Sequence, residues 1–441
     1  MKKKMKLLTN ISQILSNQKH NQVLVKIAIC LILTGFAYRF YFSSWIQISS
    51  VTVADDDPKL PSSPPPGLPP TVANLTLSDQ FPVNYTRNHE GSPKCDIFTG
   101  EWVRDRRGPR YTNSSCNTIE HHQNCIANGR PDSDYIYWRW SPFGCDLPAF
   151  EPKTFLRYMK NKSMAFIGDS ISRNHVQSLL CILSQVEEAI EVYHDEEYRS
   201  KRWFFESYNF TLSVIWSPFL LKANIFEDND GHSSSAIELH LDKLDSVWVN
   251  QFINFNYIMI SGGKWFLKTA IYYENNTITG CHNCNIQNIT ETAFSYAYQK
   301  ALRTTLGFIT KSSHKVYTFY RTTTPDHFEN GEWNTGGYCN RTIPFKNGEV
   351  SMKDVDVIMR DIELEEFENA KQFVNGTGLR LFDTTRLSLL RPDGHPGPYR
   401  GFHPFDGKNG NANVQNDCLH WCLPGPIDSW NDLMMSLLVH G

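Results

Sequence analysis

From about residue 153 onward, short apolar runs alternate with longer amphipathic stretches. Four runs read as buried strands, namely residues 164–167, 212–215, 257–260 and 316–320. Two stretches have the pattern of helices that cover a sheet, namely residues 171–183 and 294–309. This alternation predicts an α/β fold in which a parallel sheet is flanked by helices.

The first 92 residues have a different pattern, which predicts a membrane anchor and a stem. Lysine-rich residues 1–22 precede an apolar run at residues 23–42, which is long enough to span a bilayer and ends in aromatic residues. A cleaved signal peptide, the alternative, would have a shorter apolar run ending in small residues. Residues 43–92 include a proline-rich stretch that predicts an extended stem. With the lysines in the cytosol, residues 93–441 are predicted to form one luminal domain.

Cysteine and asparagine usage agrees with a luminal domain. The chain has 11 cysteines, and with Cys30 inside the predicted span an even ten remain for an oxidising compartment. Sequons for N-linked glycans occur at Asn74, Asn84, Asn113, Asn161, Asn209, Asn275, Asn288, Asn340 and Asn375. The sequence therefore predicts a disulfide-bonded glycoprotein of the secretory pathway.

Size and charge limit the possible classes of function. At 441 residues with 40% hydrophobic residues, the chain can bury a large core. Its formal net charge is -3, and no basic cluster occurs beyond the N-terminal lysines. We therefore expect no nucleic-acid partner.

Two short motifs far apart in the chain supply the groups of an acyl-transfer site. Ser170, in the triplet that begins with Gly168 and Asp169, lies where a predicted strand turns into a helix, whose N–H groups could face an oxyanion. Asp417 and His420 lie three residues apart near the C-terminus, and could serve as orienting acid and base for the serine. Taken alone, the triplet is more typical of a helix cap. Together the two motifs resemble the SGNH/GDSL hydrolases.

Two further loops follow predicted strands, at the edge where open parallel sheets place their sites. Gly263, in residues 261–265, could offer a backbone N–H to an oxyanion, although an ordinary strand-end turn is an equal alternative. Residues 321–328 are expected to face substrate, while His327 within them is equally typical of a plain surface histidine.

Closely spaced cysteines and histidines leave zinc as an alternative. Two sets have suitable ligands, namely Cys418, His420 and Cys422, and Cys281, His282 and Cys284. Because an oxidising compartment favours disulfides over zinc thiolates, no metal is predicted.

A longer set of motifs resembles one family. The motifs are CDIFTGEWV (95–103), NGRPD (128–132), YWRW (137–140), CDLP (145–148), GDS (168–170) and DCLHWCLPG (417–425). They resemble the plant trichome-birefringence-like family of polysaccharide O-acetyltransferases, from about residue 93 to the C-terminus. Residues 107–109, 111–116 and 281–285 look most like the xyloglucan O-acetyltransferase branch.

The resemblance implies a Golgi enzyme, anchored by a single type II span, that acetylates a cell-wall polysaccharide through an acetyl-serine intermediate. The implied acceptor is xyloglucan, on its galactose side chains. Ser170 would be the nucleophile, His420 the general base and then acid, and Asp417 the residue that fixes the imidazole tautomer. Gly263 and the backbone of Ser170 would form the oxyanion hole.

Further residues are expected around this site. Those grouped with the oxyanion and substrate-binding residues are Gly168, Asp169, Arg173 and Asn174. Trp265 and Trp421 adjoin the catalytic loops and are predicted to offer flat faces to sugar rings. Lys264, where relatives often carry histidine, departs from the family pattern and bears on acceptor fit or rate.

The resemblance also implies how the ten cysteines pair. The pairs are Cys95 with Cys145, Cys116 with Cys181, Cys125 with Cys422, Cys339 with Cys418, and Cys281 with Cys284. Two of these bridges would flank His420.

Several alternatives for the reaction stay open. The acceptor could be xylan, mannan or pectin, and the donor could be acetyl-CoA or an acetyl group relayed by a membrane protein; no bound cofactor is expected. With water as acceptor the enzyme would be a polysaccharide deacetylase, and a non-catalytic polysaccharide-binding protein is the alternative from another class. Because the imidazole must start neutral, activity is expected to decline as the pH falls through about 6.

Overall fold

A computed structural model of the protein describes residues 95–226, 234–373, 378–406 and 414–440. The predicted cytosolic tail, membrane span and stem lie outside the described residues. Across these four ranges no helix combines the length and the apolar character needed to cross a membrane.

The described residues form strands and helices in alternation. The strands are β1 (Gly100–Arg104), β2 (Trp138–Pro142), β3 (Ser163–Gly168), β4 (Ile190–His194), β5 (Lys201–Phe205), β6 (Phe210–Trp216), β7 (Leu221–Asn224), β8 (Ile237–Leu244), β9 (Tyr257–Ile260), β10 (Ala270–Glu274), β11 (Thr277–His282), β12 (Tyr317–Arg321) and β13 (Leu379–Phe382). The helices are α1 (Pro152–Tyr158), α2 (Ser170–Leu183), α3 (Ser246–Val249), α4 (Phe294–Lys311), α5 (Asp354–Lys371), α6 (Thr385–Leu389) and α7 (Asp428–His440).

A seven-stranded sheet is the centre of the fold. Its strand order is β13-β12-β9-β3-β6-β5-β4. The first five strands of that order run parallel, and β5 and β4 add an antiparallel hairpin at one edge. The predicted α/β fold is thus confirmed, and the sheet is mixed where the sequence predicted a parallel one.

Side chains of β3 alternate between two separate cores, one on each face of this sheet. Met164 and Phe166 belong to the core that includes residues of α2 and α7. Ala165 and Ile167 belong to the core that includes residues of α4 and α5. A strand buried on both faces needs a continuous apolar run, which is why this segment is recognisable in the sequence.

Two smaller sheets complete the described part of the fold. One has four strands in the order β11-β10-β8-β7, with β10 and β8 parallel. The other is the antiparallel pair β1 and β2 in the cysteine-rich N-terminal region. That region packs on the main body: the indole N–H of Trp102 donates to the carbonyl of Leu387 at 2.9 Å, and the hydroxyl of Tyr111 donates to Asp428 at 2.8 Å.

The ten described cysteines form five disulfides, and these are the pairs that the resemblance implied. They are Cys95–Cys145, Cys116–Cys181, Cys125–Cys422, Cys281–Cys284 and Cys339–Cys418. Two of them join residues on either side of His420 to distant parts of the chain. The C-terminal segment is therefore covalently fixed to the N-terminal region and to the loop that precedes α5.

Candidate active site

Ser170 is the first residue of α2, directly after the turn that ends β3. Asp169 caps this helix, because its Oδ1 accepts a hydrogen bond from the N–H of Ile171 at 3.0 Å. Gly168 has no room for a side chain, since a Cβ there would lie 2.7 Å from the carbonyl oxygen of Ser261. The helix-cap interpretation thus describes Asp169, while the turn places Ser170 at the C-terminal edge of the sheet.

A line of hydrogen bonds connects Ser170 to the C-terminal motif. Oγ of Ser170 lies 2.8 Å from Nε2 of His420. Nδ1 of His420 lies 2.8 Å from Oδ2 of Asp417. Because a carboxylate only accepts, Nδ1–H donates to Asp417, and Nε2 is left to accept from the serine hydroxyl. This is the geometry in which an imidazole can take a proton from a serine.

The carboxylate of Asp417 is buried and surrounded by donors. Its Oδ1 accepts the backbone N–H groups of Leu419 and His420 at 3.2 and 3.0 Å, and Nη1 of Arg400 lies 3.3 Å from its Oδ2. Burial alone would raise the pKa of Asp417, but His420 and Arg400 together hold it well below its ordinary value. Asp417 therefore stays ionised and keeps the imidazole in one tautomer.

Two buried histidines support the segment that carries His420. Nδ1 of His395 donates to the backbone carbonyl of His420 at 2.7 Å, and its ring stacks on Trp421 with centroids 4.3 Å apart. His327 lies behind it, with 2.7 Å between its Nδ1 and Nε2 of His395. His395 was not predicted from the sequence, and a surface position was allowed for His327. Nothing local in the sequence marks either residue, because their partners lie far away in the chain.

Two backbone N–H groups beside the nucleophile are available to an oxyanion. In the described part of the chain, neither the N–H of Ser170 nor that of Gly263 donates to a protein acceptor. The two loops adjoin, since a Cβ on Gly263 would lie 3.3 Å from Oδ2 of Asp169. Buried or half-buried N–H groups rarely lack partners, so this pair suits a charge that develops during reaction.

Charged and polar side chains hold the loop around Gly263 in place. Nζ of Lys264 lies 2.9 Å from Oδ2 of Asp326 and also contacts Asp356. Burial opposes the charge of Lys264, yet these two carboxylates raise its pKa above the ordinary value. Oγ1 of Thr323 donates to the carbonyl of Gly262 at 3.2 Å. Residues 321–328 were expected to face substrate, but Thr323 and Asp326 among them instead support this loop.

Two of the predicted binding residues hold the protein together. Asn174 is fully buried, and its side chain bonds the backbone of Trp421 twice, accepting from the N–H at 2.7 Å and donating to the carbonyl at 3.2 Å. The indole of Trp421 is 1% exposed, so its ring is not available to a sugar. Both predictions are corrected: these residues tie α2 to the His420 segment.

Two further predicted binding residues stay accessible. Trp265 is half-buried beside Trp216, with ring centroids 5.4 Å apart. Arg173, one turn after Ser170, is also half-buried, and its Nη2 lies 3.0 Å from Oε2 of Glu120.

Disulfides replace both of the zinc sets that the sequence left open. Cys418 is bonded to Cys339, and Cys422 to Cys125, so neither offers a thiolate beside His420. The other pair, Cys281 and Cys284, is bonded internally. The chemistry of this site therefore rests on serine, histidine, carboxylate and backbone N–H groups, which together suit acyl transfer.

Two known protein families and several known proteins match the chain. The GDSL/SGNH-like acyl-esterase family found in Pmr5 and Cas1p matches residues 147–437, and the PMR5 N-terminal domain matches residues 93–146. Protein trichome birefringence-like 25 of Arabidopsis thaliana is 55% identical over 434 residues, which cover 96% of this chain and 94% of the relative. The chain belongs to the trichome-birefringence-like family.

Within the trichome-birefringence-like family, the names of the relatives differ in what they state. Protein trichome birefringence-like 26 of Arabidopsis thaliana is 54% identical over 417 residues, covering 94% of this chain and 87% of the relative, and its name states no substrate. Xyloglucan O-acetyltransferase 1 of Populus trichocarpa is 47% identical over 379 residues, covering 83% of this chain and 86% of the relative. Family membership thus supports an acetyltransferase that acts on a plant polysaccharide.

Proposed function

We propose that this protein transfers acetyl groups to a plant cell-wall polysaccharide by a double displacement at Ser170. The observation that carries the proposal is the line from Asp417 through His420 to Ser170, with contacts of 2.8 Å at both links. The two unpartnered N–H groups beside it support an acyl intermediate rather than a structural role for the histidine.

Both steps use the same proton acceptor. His420 takes the proton of Ser170 as Oγ attacks the acetyl carbonyl, and the leaving group of the donor departs with that proton. A sugar hydroxyl then gives its proton to His420 and attacks the acetyl-serine, and Ser170 regains the proton as it leaves. The N–H groups of Ser170 and Gly263 stabilise the oxyanion in each step.

Xyloglucan is the acceptor that the names of relatives support, and its galactose side chains are the proposed position of the acetyl group. The relatives named for it are 44–47% identical to this chain, whereas four relatives at 48–55% have names without a substrate. Mannan, xylan and pectin are therefore the acceptors to compare with it. The donor is acetyl-CoA or an acetyl group relayed by a membrane protein.

The proposed setting is the lumen of the Golgi, with residues 23–42 as a single type II span. Five disulfides agree with an oxidising compartment. The sequon asparagines that are exposed in the described residues could carry glycans; they are Asn161, Asn209, Asn275, Asn288 and Asn340. Protection of the folded domain from protease in sealed Golgi vesicles tests this topology.

The test of the reaction is mass spectrometry of oligosaccharides from the four polymers, incubated with the full-length protein and acetyl-CoA or a nitrophenyl acetate. Acetylated oligosaccharides that are absent with Ser170→Ala would support the proposal. Acetylation of mannan, xylan or pectin alone would keep the reaction and replace the acceptor.

Hydrolysis is the second candidate, because the matching family is described as an acyl-esterase family. Release of free acetate from acetylated polymer, with no transfer to any of the four acceptors, would favour a deacetylase. Polymer binding without either reaction would favour a non-catalytic binding protein.

A further inference from the structure

A group of polar side chains from the N-terminal region lies directly beside the catalytic histidine. The rings of His122 and His420 meet edge to face, with centroids 6.5 Å apart. Nε2 of His122 lies 3.5 Å from Oε2 of Glu120, and the same oxygen lies 3.0 Å from Nη2 of Arg173 on α2. The motifs singled out in the sequence include Arg173 but neither Glu120 nor His122.

The segment that carries these groups is fixed to the catalytic segment at two neighbouring points. The carbonyl of Gln123 accepts the N–H of Leu423 at 2.9 Å. Cys125, two residues further on, forms the disulfide with Cys422. Glu120 and His122 are therefore held at a set distance from His420, as a binding site requires.

These side chains are partly accessible, unlike the ion pairs that hold the interior together. The exposed fractions of the side chains are 32% for His122, 19% for Glu120 and 23% for Arg173. By contrast, the ion pair of Arg391 and Asp393 is 0% exposed on both sides. A ligand at the catalytic serine can thus contact the first group but not the second.

The charges of Glu120, Arg173 and their neighbours Lys201 and Glu191 balance. Glu120 faces Arg173 and, at 3.9 Å, Lys201, which in turn lies 3.9 Å from Glu191. Burial lowers the pKa of His122 to about 4, outweighing the opposite effect of Glu120, so its imidazole is neutral. Two cations and two carboxylates leave no net charge, which favours a neutral sugar over an anionic one.

We propose that Glu120, His122 and Arg173 form the subsite that binds hydroxyl groups of a neutral acceptor sugar and places one of them at His420. This inference rests on the proposed function. The carboxylate of Glu120 accepts from sugar hydroxyls, Arg173 donates to sugar oxygens, and the ring of His122 closes the side of the site next to the base. Because water needs no such placement, the subsite favours transfer over hydrolysis.

The experiment measures both fates of the acetyl group in one reaction. The full-length protein is given nitrophenyl acetate together with oligosaccharides of xyloglucan, mannan or xylan. Nitrophenol release reports formation of the acetyl-enzyme, free acetate reports hydrolysis, and mass spectrometry reports transfer. The variants are Glu120→Gln and His122→Ala, and the matched control is His121→Ala, whose exposed ring lies 6.2 Å from that of Phe402.

We expect the ratio of transfer to hydrolysis to fall at least about tenfold in Glu120→Gln and His122→Ala, because removal of one or two hydrogen bonds to a ligand has about this effect. His121→Ala should match the wild type in both reactions, and measurable nitrophenol release should remain in all three variants. Retained nitrophenol release also shows that the variants are folded.

An unchanged ratio in both variants would overturn the subsite, and so would an equal loss of transfer and hydrolysis in a protein of unchanged thermal stability. Should either variant fail to fold, Arg173→Lys gives a second test, because lysine keeps a cation beside Glu120 but loses the planar fork. A several-fold higher KM for the oligosaccharide is expected, and an unchanged KM would contradict the proposal. If the wild type itself hydrolyses the ester but acetylates no sugar, the proposed function fails instead.

Discussion

The nucleophile and the base of the candidate site are held in place by different means. Ser170 follows β3 in the middle of the seven-stranded sheet, and its position depends on ladder hydrogen bonds, a helix cap and a tightly packed turn. His420 lies in a segment outside the helices and strands of the described chain. That segment is held by the disulfides of Cys418 and Cys422, by Asn174 and by His395.

This difference suggests that the two halves of the site respond differently to damage. The turn at Ser170 forms wherever the sheet forms, because its contacts are local or belong to the core. The His420 segment depends on a few long-range links, two of which require oxidation. Conditions or substitutions that break these links should lower the rate before they unfold the sheet.

The largest effect should come from the nucleophile itself. Ser170→Ala is expected to lower both transfer and ester hydrolysis by roughly 10⁴-fold or more, because no acetyl-enzyme can form. Thermal unfolding should be little changed, since the removed oxygen forms a hydrogen bond only with His420 among the described side chains. Initial rates with nitrophenyl acetate measure this effect, and substantial residual turnover would place the nucleophile elsewhere.

Asp417→Asn should give the next largest effect, on the base half of the site. An amide can present N–H to Nδ1 of His420 and so favour the wrong tautomer, for a loss on the order of 10³- to 10⁴-fold in kcat. KM should change little. A rate within tenfold of the wild type would show that Asp417 does not orient the imidazole.

Removing the disulfide between Cys125 and Cys422 tests whether the position of His420 depends on long-range links. The double variant to serine is expected to lose about 2–5 kcal/mol of stability, because the bridge closes a long loop. It should also lose roughly 10- to 100-fold in kcat at temperatures where the sheet stays folded, because the base is displaced.

The matched control is the double serine variant of Cys281 and Cys284, which are three residues apart, whereas Cys125 and Cys422 are separated by 297 residues. Its rates should equal those of the wild type. Equal losses in the two double variants would mean that oxidation matters in general and not at the base.

His395→Phe should have a smaller effect, which also acts through the segment that carries His420. Phenylalanine can keep the stack on Trp421 but loses the N–H that holds the carbonyl of His420, and we expect kcat to fall about tenfold with KM unchanged. His314→Phe is the control, because Nε2 of His314 likewise donates to a carbonyl, that of Phe255, at 2.8 Å. The hypothesis fails if both variants have the same kcat.

On the side of the site that carries Ser170, the buried carboxyl of Glu363 makes the stability of the fold depend on pH. Glu363 accepts hydrogen bonds from Thr323 and Tyr298, and burial raises its pKa to about 7 in spite of them. In the unfolded chain a glutamate has a pKa of about 4.3. Between pH values of about 4.3 and 7 the folded protein keeps a proton on Glu363 that the unfolded chain has released, so the free energy of unfolding falls as the pH rises through this range.

Glu363→Gln should reduce the change in unfolding free energy between pH 5 and pH 8 by about 2–3 kcal/mol. Glu368→Gln, on the exposed face of α5, is the control and should leave that dependence intact. Chemical denaturation at several pH values measures both, and an unchanged curve for Glu363→Gln would show that this carboxyl titrates normally.

The same contrast explains what the sequence could and could not predict. The turn at Ser170 was predictable because a strand buried on both faces has a continuous apolar run and a helix cap has local residues. Helix α5 was missed because its buried face includes Arg360, Glu363 and Glu366, which interrupt the apolar period.

Around His420, sequence spacing predicted the contact with Asp417 but not the direction of neighbouring side chains. Trp421 was expected to meet a sugar, yet it points into the core beside His395. His395 and Glu120 could not be identified, because each acts on a residue that is far away in the sequence. The disulfide partners were available only from the family resemblance, since spacing alone allows many pairings.

The most direct test of the double displacement at Ser170 is intact-protein mass spectrometry of the full-length protein mixed briefly with nitrophenyl acetate and then chased with polysaccharide oligosaccharides. We expect one added acetyl group, mapped to Ser170, that disappears on the chase as the same group appears on the sugar. An acetyl group on another residue, or one that leaves only as free acetate whatever oligosaccharide is added, would contradict it.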